Sequence, residues 1–300
     1  MNKIDFSPKH DALIRYPDGK LLPMDEPHYI PTKIAPGTWQ ILSSGDFHYL
    51  VEGEDEAIAI DTGYGAGDLR AYLEKLCSKP VRRVINTHHH FDHTANNAYF
   101  DLVYMAEESI DHATLSFPSF RGIDFPRDYP IEVVQDGTVI PLRGRELEII
   151  KIPDHAPGSI VILDRRERIL FSGDEFMDFG KRLNGTAEGF LRNMEKVMAH
   201  RGEFDRLCGG PGIFPVSLAD AFYEAAKKMA AGEVTEGFTP APRPAAEPEY
   251  VDGHIVYDCR EPHPEDRFGG RGKPPAPQPD VLLYQGMTFF YDRSKRDGNT

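Results

Sequence analysis

Thr87-His88-His89-His90-Phe91-Asp92-His93 is the most informative stretch of this 300-residue chain, and it follows directly on a strand-like run over residues 81–86. In an extended backbone side chains alternate, so His88 and His90 point to one side and His89 to the other. Two imidazoles on one side of a strand end can grip a single cation. If the chain turns at Phe91, Asp92 and His93 can face a second cation beside the first. Imidazole and carboxylate together suit zinc, iron or manganese. An affinity tag would be terminal and uniform. This run is internal, follows a strand and carries an aspartate at a fixed spacing, which points to a metal centre. His89 is expected to pack or hydrogen-bond away from it.

Two more candidate ligands lie downstream, each just after a strand-like run. His155 sits in Pro153-Asp154-His155-Ala156-Pro157-Gly158-Ser159, and Asp174 in Phe171-Ser172-Gly173-Asp174. A carboxylate at Asp174 could bridge two metals, having two oxygens and a charge to set against two dications. Upstream, residues 39–42, 47–51 and 57–60 read as short strands, and Asp61-Thr62-Gly63 ends the third abruptly. Residues 67–77 carry Leu69, Leu73 and Leu76 at helical spacing. Further along, the pattern predicts a helix over 95–100, a strand over 102–105, a lid-like stretch over 116–130, and strands over 132–134, 146–152, 159–163 and 168–171. Two amphipathic helices follow, one with Leu191, Met194, Val197 and Met198 on a face, the other with Leu218, Phe222, Ala225 and Met229. These stripes read as ordinary core. Two blocks of strands, each followed by helices, suggest an α/β protein with two sheets packed face to face and helices outside.

The ends of the chain differ from this body. Residues 1–36 hold Pro8, Pro17, Pro23, Pro27, Pro31 and Pro36 and read as an irregular arm, leaving residues 37–231 as the main domain. Residues 232–300 form a Pro-rich extension. Pro240, Pro242, Pro244 and Pro248 make one stiff linker, and Pro274, Pro275, Pro277 and Pro279 a second. Strand-like runs at 250–257, 281–284 and 287–291 are expected to pack on the domain or on a neighbouring subunit.

The formal net charge of −14 argues against nucleic acid and against an anionic membrane surface as partners. No apolar run reaches the roughly 18–20 residues of a membrane span, and the first residues lack the apolar core of a secretory signal. Cys77, Cys208 and Cys259 show no zinc-ribbon spacing. A cytoplasmic enzyme with a small-molecule substrate is the expectation.

Asp61-Thr62-Gly63, His88-x-His90-x-Asp92-His93, His155 before Pro-Gly-Ser, and Gly173-Asp174 resemble, in order and approximate spacing, the motif set of the metallo-β-lactamase superfamily. The resemblance covers about residues 38–215. It implies a four-layer αββα sandwich with metals in a cleft at one edge of the two sheets. It further implies that His88, His90 and His155 bind one metal, that Asp92 and His93 bind a second, and that Asp174 bridges them. Asp61 resembles the aspartate that orients ligands rather than binding metal. One departure stands out. The family usually closes the second site with a histidine after the late helix, where this chain has Leu207-Cys208-Gly209-Gly210-Pro211-Gly212, with Gly210 at the expected position. His254, behind a Gly that would let the backbone approach closely, is the first candidate replacement. His263 and Cys208 are others.

The resulting expectation is a metal-dependent hydrolase, with two zinc ions per chain or with iron or manganese in their place. A metal-bound hydroxide would attack a small ester, lactone or thioester, and Asp92 would take and return the proton. Two alternatives come from other classes. One is a mononuclear non-haem iron dioxygenase of the persulfide type, using His88, His155 and Asp174. The other is a non-catalytic metal-binding protein. A homo-oligomer would fit the long extension.

Overall fold

Short apolar runs punctuated by Gly and Ser turns become a β-meander in the computed structural model, which describes residues 4–238, 248–266, 279–295 and 297. These divide into two compact units. The first takes residues 4–134, 140–146 and 248–266, and the second takes 135–139, 147–238, 279–295 and 297.

The first unit opens with β1 (Leu13–Arg15), β2 (Leu21–Pro23), β3 (Ile30–Ala35), β4 (Thr38–Ser43), β5 (Asp46–Glu52) and β6 (Ala57–Ile60). Then come α1 (Leu69–Cys77), β7 (Val81–Ile85), α2 (Phe91–Thr94), β8 (Leu102–Met105) and β9 (Ile131–Val133). Strands β3 to β9 form one sheet in sequence order. Hairpin neighbours β3 to β6 are antiparallel, whereas β6 to β9 run parallel. The switch comes where α1 supplies the crossover that parallel neighbours need. The Asp68 side chain starts α1 by accepting from the Ala71 N–H at 2.9 Å, and Ser78, in the left-handed region, ends it. Strand β6, Ala-Ile-Ala-Ile, is buried at every position, so its apolar run is continuous rather than alternating.

Three expectations change in this unit. The helix expected over 95–100 begins earlier, as α2, and residues 97–99 make a single 3-10 turn. The His93 carbonyl, which a continuing helix would offer to the residue-97 N–H, instead accepts from the Thr62 N–H at 3.0 Å and the Asn86 amide at 2.8 Å. The lid-like stretch contributes side chains to the core: Phe120 is fully buried and its ring lies 5.5 Å from that of Phe91. The arm is not irregular either, since β1, β2 and β3 fall within it. Its prolines sit where a missing N–H is tolerated, Pro23 ending β2 and Pro31 in β3, both edge strands.

The chain continues through β10 (Val139–Leu142), β11 (Arg145–Lys151), β12 (Ile160–Asp164), β13 (Ile169–Gly173), α3 (Ala187–Ala199), β14 (Arg206–Gly209), β15 (Gly212–Pro215) and α4 (Ser217–Ala230). These strands form a six-stranded sheet in sequence order, drawn mainly from the second unit. The β13–β14 pair is parallel, with α3 crossing between them; the β11–β12, β12–β13 and β14–β15 pairs are antiparallel. Phe190, Met194 and Val197 of α3 and Leu218, Phe222, Ala225 and Met229 of α4 share this unit's core with Phe176 and Phe289.

The extension supplies β16 (Glu249–Val251) and β17 (His254–Asp258), then β18 (Asp280–Tyr284) and β19 (Met287–Tyr291). The first pair joins the arm in a four-stranded sheet of the first unit, order β16-β17-β1-β2. The second pair is a hairpin in the second unit. Residues 250–257 are thus no single strand. Asp252 and Gly253, at φ 50° and 86°, fold them into a hairpin. Apart from Pro248 and Pro279, the prolines of both expected linkers lie outside the described residues. Among the described residues no helix is long and apolar enough to cross a membrane.

Candidate metal centre

Strands β6 and β7 are parallel neighbours, so the loops after them, Asp61-Thr62-Gly63 and Asn86–His93, emerge at one sheet edge. Asp61 ties the two loops together. Its carboxylate accepts from the Thr87 N–H at 2.7 Å, from the Thr87 hydroxyl at 2.8 Å and from His93 Nδ1 at 2.8 Å. A carboxylate only accepts, so Nδ1 donates its hydrogen to Asp61, and Nε2 is the ring nitrogen turned toward Asp46. Asp61 adopts φ 59°, a conformation few non-glycine residues take. His88 and His90 lie together, with Nε2 and Nδ1 3.0 Å apart. The His89 ring faces His112 with centroids 5.3 Å apart.

Strand β5 runs antiparallel to β6, so the start of β5 lies beside the end of β6. That pairing brings in a residue that sequence reasoning missed. Asp46 Oδ2 lies 3.4 Å from His93 Nε2, which is 4.0 Å from Asp92 Oδ2. Asp46, Asp92 and His93 each offer a ligand atom within 4.8 Å of the other two. Two carboxylate oxygens converging on an imidazole nitrogen are an arrangement that a dication satisfies, so this donor set fits a metal.

The second unit carries its own donors. Strands β11 and β13 both run antiparallel to β12, so the residues after them meet at one edge, and His155 Nε2 lies 3.7 Å from Asp174 Oδ2. A buried ion cluster anchors both loops. Lys181 Nζ reaches Asp154 at 2.7 Å and Glu175 at 2.6 Å, and Glu175 accepts from the His155 N–H at 2.8 Å. Burial, ahead of the pull of Lys181, raises the Asp154 carboxyl above its ordinary range, because one ammonium is shared by two carboxylates. The Gly210 N–H donates to the Gly173 carbonyl at 3.1 Å, just before Asp174. A Cβ at Gly209 would lie 2.5 Å from that carbonyl. This glycine turn therefore supports Asp174 by close backbone approach.

The candidates for a replacement ligand are placed elsewhere. His254 is exposed on β17, its Nδ1 2.9 Å from the Asp11 carbonyl, and belongs to no donor group among the described residues. Gly253 serves the β16–β17 hairpin turn with Asp252 rather than an approach to metal. His263 is fully buried with its ring 4.1 Å from Tyr257 and 5.8 Å from Phe120, and burial pushes its pKa down to about 3. It is a neutral core residue. Burial pushes the Cys208 thiol up to about 12, which opposes the thiolate that metal binding requires.

Residues 48–207 match the family model of the metallo-β-lactamase superfamily. The acyl-coenzyme A thioesterase MBLAC2 of Homo sapiens is 32% identical over 43% of this chain and 58% of its own length, so the matched region spans little more than half of that relative. The Gallus gallus protein of the same name is 30% identical over 59% of this chain and 76% of its own. A metallo-β-lactamase from Pontibacter korlensis shares the fold with a TM-score of 0.54, at 18% identity, over 67% of this chain and 99% of that one.

Proposed function

This chain belongs to the metallo-β-lactamase superfamily, and from that premise we propose that it is a metal-dependent hydrolase of thioesters, with an acyl-coenzyme A or similar acyl thioester as substrate and two zinc ions per chain. What supports the reading most is that the matched segment contains every donor named above except Asp46, and that relatives near 30% identity carry the thioesterase name. His88, His90 and His155 would hold one ion. Asp92 and His93 would hold the other, with Asp174 between the two. When bound, the metals supply an acidified water and Lewis acidity toward the thioester carbonyl.

The chain's residues do the rest. Asp61 holds the proton on His93 Nδ1 and so keeps Nε2 available as a ligand atom. Asp92 takes the proton of the attacking water on a carboxylate oxygen. It returns that proton to the sulfur as the new C–O bond forms and the C–S bond breaks. The products are a free acid and a free thiol.

The test is a panel of acyl thioesters, simple esters and lactones offered to zinc-loaded protein, with oxygen uptake followed on thiol persulfides. Preferential thioester cleavage without oxygen uptake is expected. Oxygen consumption with one iron per chain would replace this reading with the dioxygenase. Zinc-loaded protein that cleaves nothing in the panel would leave a binding protein.

A further inference from the structure

We infer that Asp46 is a ligand of the second metal together with Asp92 and His93. The inference rests on the metal reading above, and three observations carry it.

The first is distance. Donors about 2.1 Å from a tetrahedral zinc lie about 3.4 Å from one another. His93 Nε2 and Asp46 Oδ2 are 3.4 Å apart, and Asp92 Oδ2 is 4.0 Å from the same nitrogen. Small side-chain shifts would therefore bring all three onto one ion. The second is burial: His93 is fully buried between the buried carboxylates of Asp61 and Asp46, where a dication would offset charge that little water reaches.

The third is placement. Ser44 and Gly45, at φ 52° and 84°, form a two-residue hairpin turn that sets Asp46 as the first residue of β5, paired with Ser43. The turn is fixed from outside. The Gly45 N–H donates to the Cys259 carbonyl at 2.7 Å, and a Cβ on Gly45 would lie 2.3 Å from the Glu261 carbonyl carbon. The extension thus bears on the site by gripping the hairpin that carries Asp46, not by supplying His254. Such outside support is what a ligand on a turn needs to be held in place.

The test measures metal rather than turnover. Full-length wild type, Asp46→Asn and Asp46→Glu are loaded with zinc, dialysed against metal-free buffer and assayed for metal per chain. The affinity of each equivalent is then read by competition with a chromophoric chelator. Two equivalents are expected in the wild type, with the second weakened more than about 10-fold in Asp46→Asn. Asp46→Glu, which keeps a carboxylate, should fall between. Wild-type affinities for both equivalents in a folded Asp46→Asn would overturn the role of Asp46 while leaving the two-metal reading standing. A wild type that holds no tight metal would overturn the reading and the inference together. If Asp46→Asn fails to fold, the cobalt-loaded Asp46→Glu protein decides: its visible spectrum should differ from wild type, and an unchanged spectrum overturns the assignment.

Discussion

Replacing Lys181 by Met should cost about 3–5 kcal/mol of stability, the range for removing one partner from a buried ion pair. The structure places this substitution at the severe end of ordinary mutations. The Lys181 side chain is 3% exposed and its partners Asp154 and Glu175 are each 2% exposed, so no water takes over the lost contacts. Met keeps most of the side chain's volume and its packing near the Phe190 ring, which separates the charge effect from a cavity. For a domain of this size about 2–4 °C is lost per kcal/mol, so the melting midpoint should fall by about 6–20 °C. The effect should reach the site as well, because Glu175 orients the His155 backbone and neighbours Asp174. Thermal melts followed by circular dichroism, with metal per chain on the same samples, make the assay. Adding Asp154→Asn and Glu175→Gln to the Lys181→Met variant removes the stranded charges and should recover much of the loss. A single variant melting within about 2 °C of wild type, a loss of at most about 1 kcal/mol, would refute the view that this cluster holds the loops.

Three other perturbations follow from the same geometry. His263→Phe should flatten the acid limb of stability: a core histidine held near pKa 3 against an ordinary 6.5 loses stability as pH falls below 6.5, by about 2 kcal/mol at pH 5, and denaturant titrations at pH 7 and pH 5 measure the difference. Gly45→Ala should destabilise by about 2–4 kcal/mol, since its Cβ meets the Glu261–Pro262 backbone and its φ of 84° disfavours a side chain; a melt compared with that of Gly19→Ala, where nothing lies within 4 Å, isolates the clash. Asp61→Asn should weaken metal binding by about 10–100-fold, because an amide can present its NH2 to His93 Nδ1 and unsettle which nitrogen carries the hydrogen; chelator competition reads the change.

The sequence made legible what is local. His88, His90, Asp92 and His93 lie so near one another in sequence that their clustering needs no long-range pairing, although residues 87–89 follow the end of β7 as bends rather than as strand. Many strand and helix positions in the body were likewise readable, because continuous apolar runs such as Ala57–Ile60 and the spaced stripes of α3 and α4 carry their own period, whereas β10, β14 and β15 were not anticipated. Asp46 was not readable. An aspartate after Ser-Gly looks like any turn residue, and its place depends on antiparallel pairing with a strand eleven residues further on. Lys181 was hidden for a similar reason, since nothing in a lysine's neighbours along the chain announces burial between two carboxylates. His254 misled because a glycine before a histidine can mean either close approach or a hairpin, and here Asp252-Gly253 makes the hairpin. The prolines of the arm hid three strands, for proline forbids central strands and not edges.

Free-thiol release from an acyl-coenzyme A, measured across a zinc titration of the metal-free protein, tests the central claim most directly. The account predicts no thiol release without metal, release that rises with zinc bound and levels off near two equivalents per chain, and its loss in His88→Ala and His155→Ala. Thioester cleavage by the metal-free chain, or a fully zinc-loaded chain that releases no thiol, would contradict it.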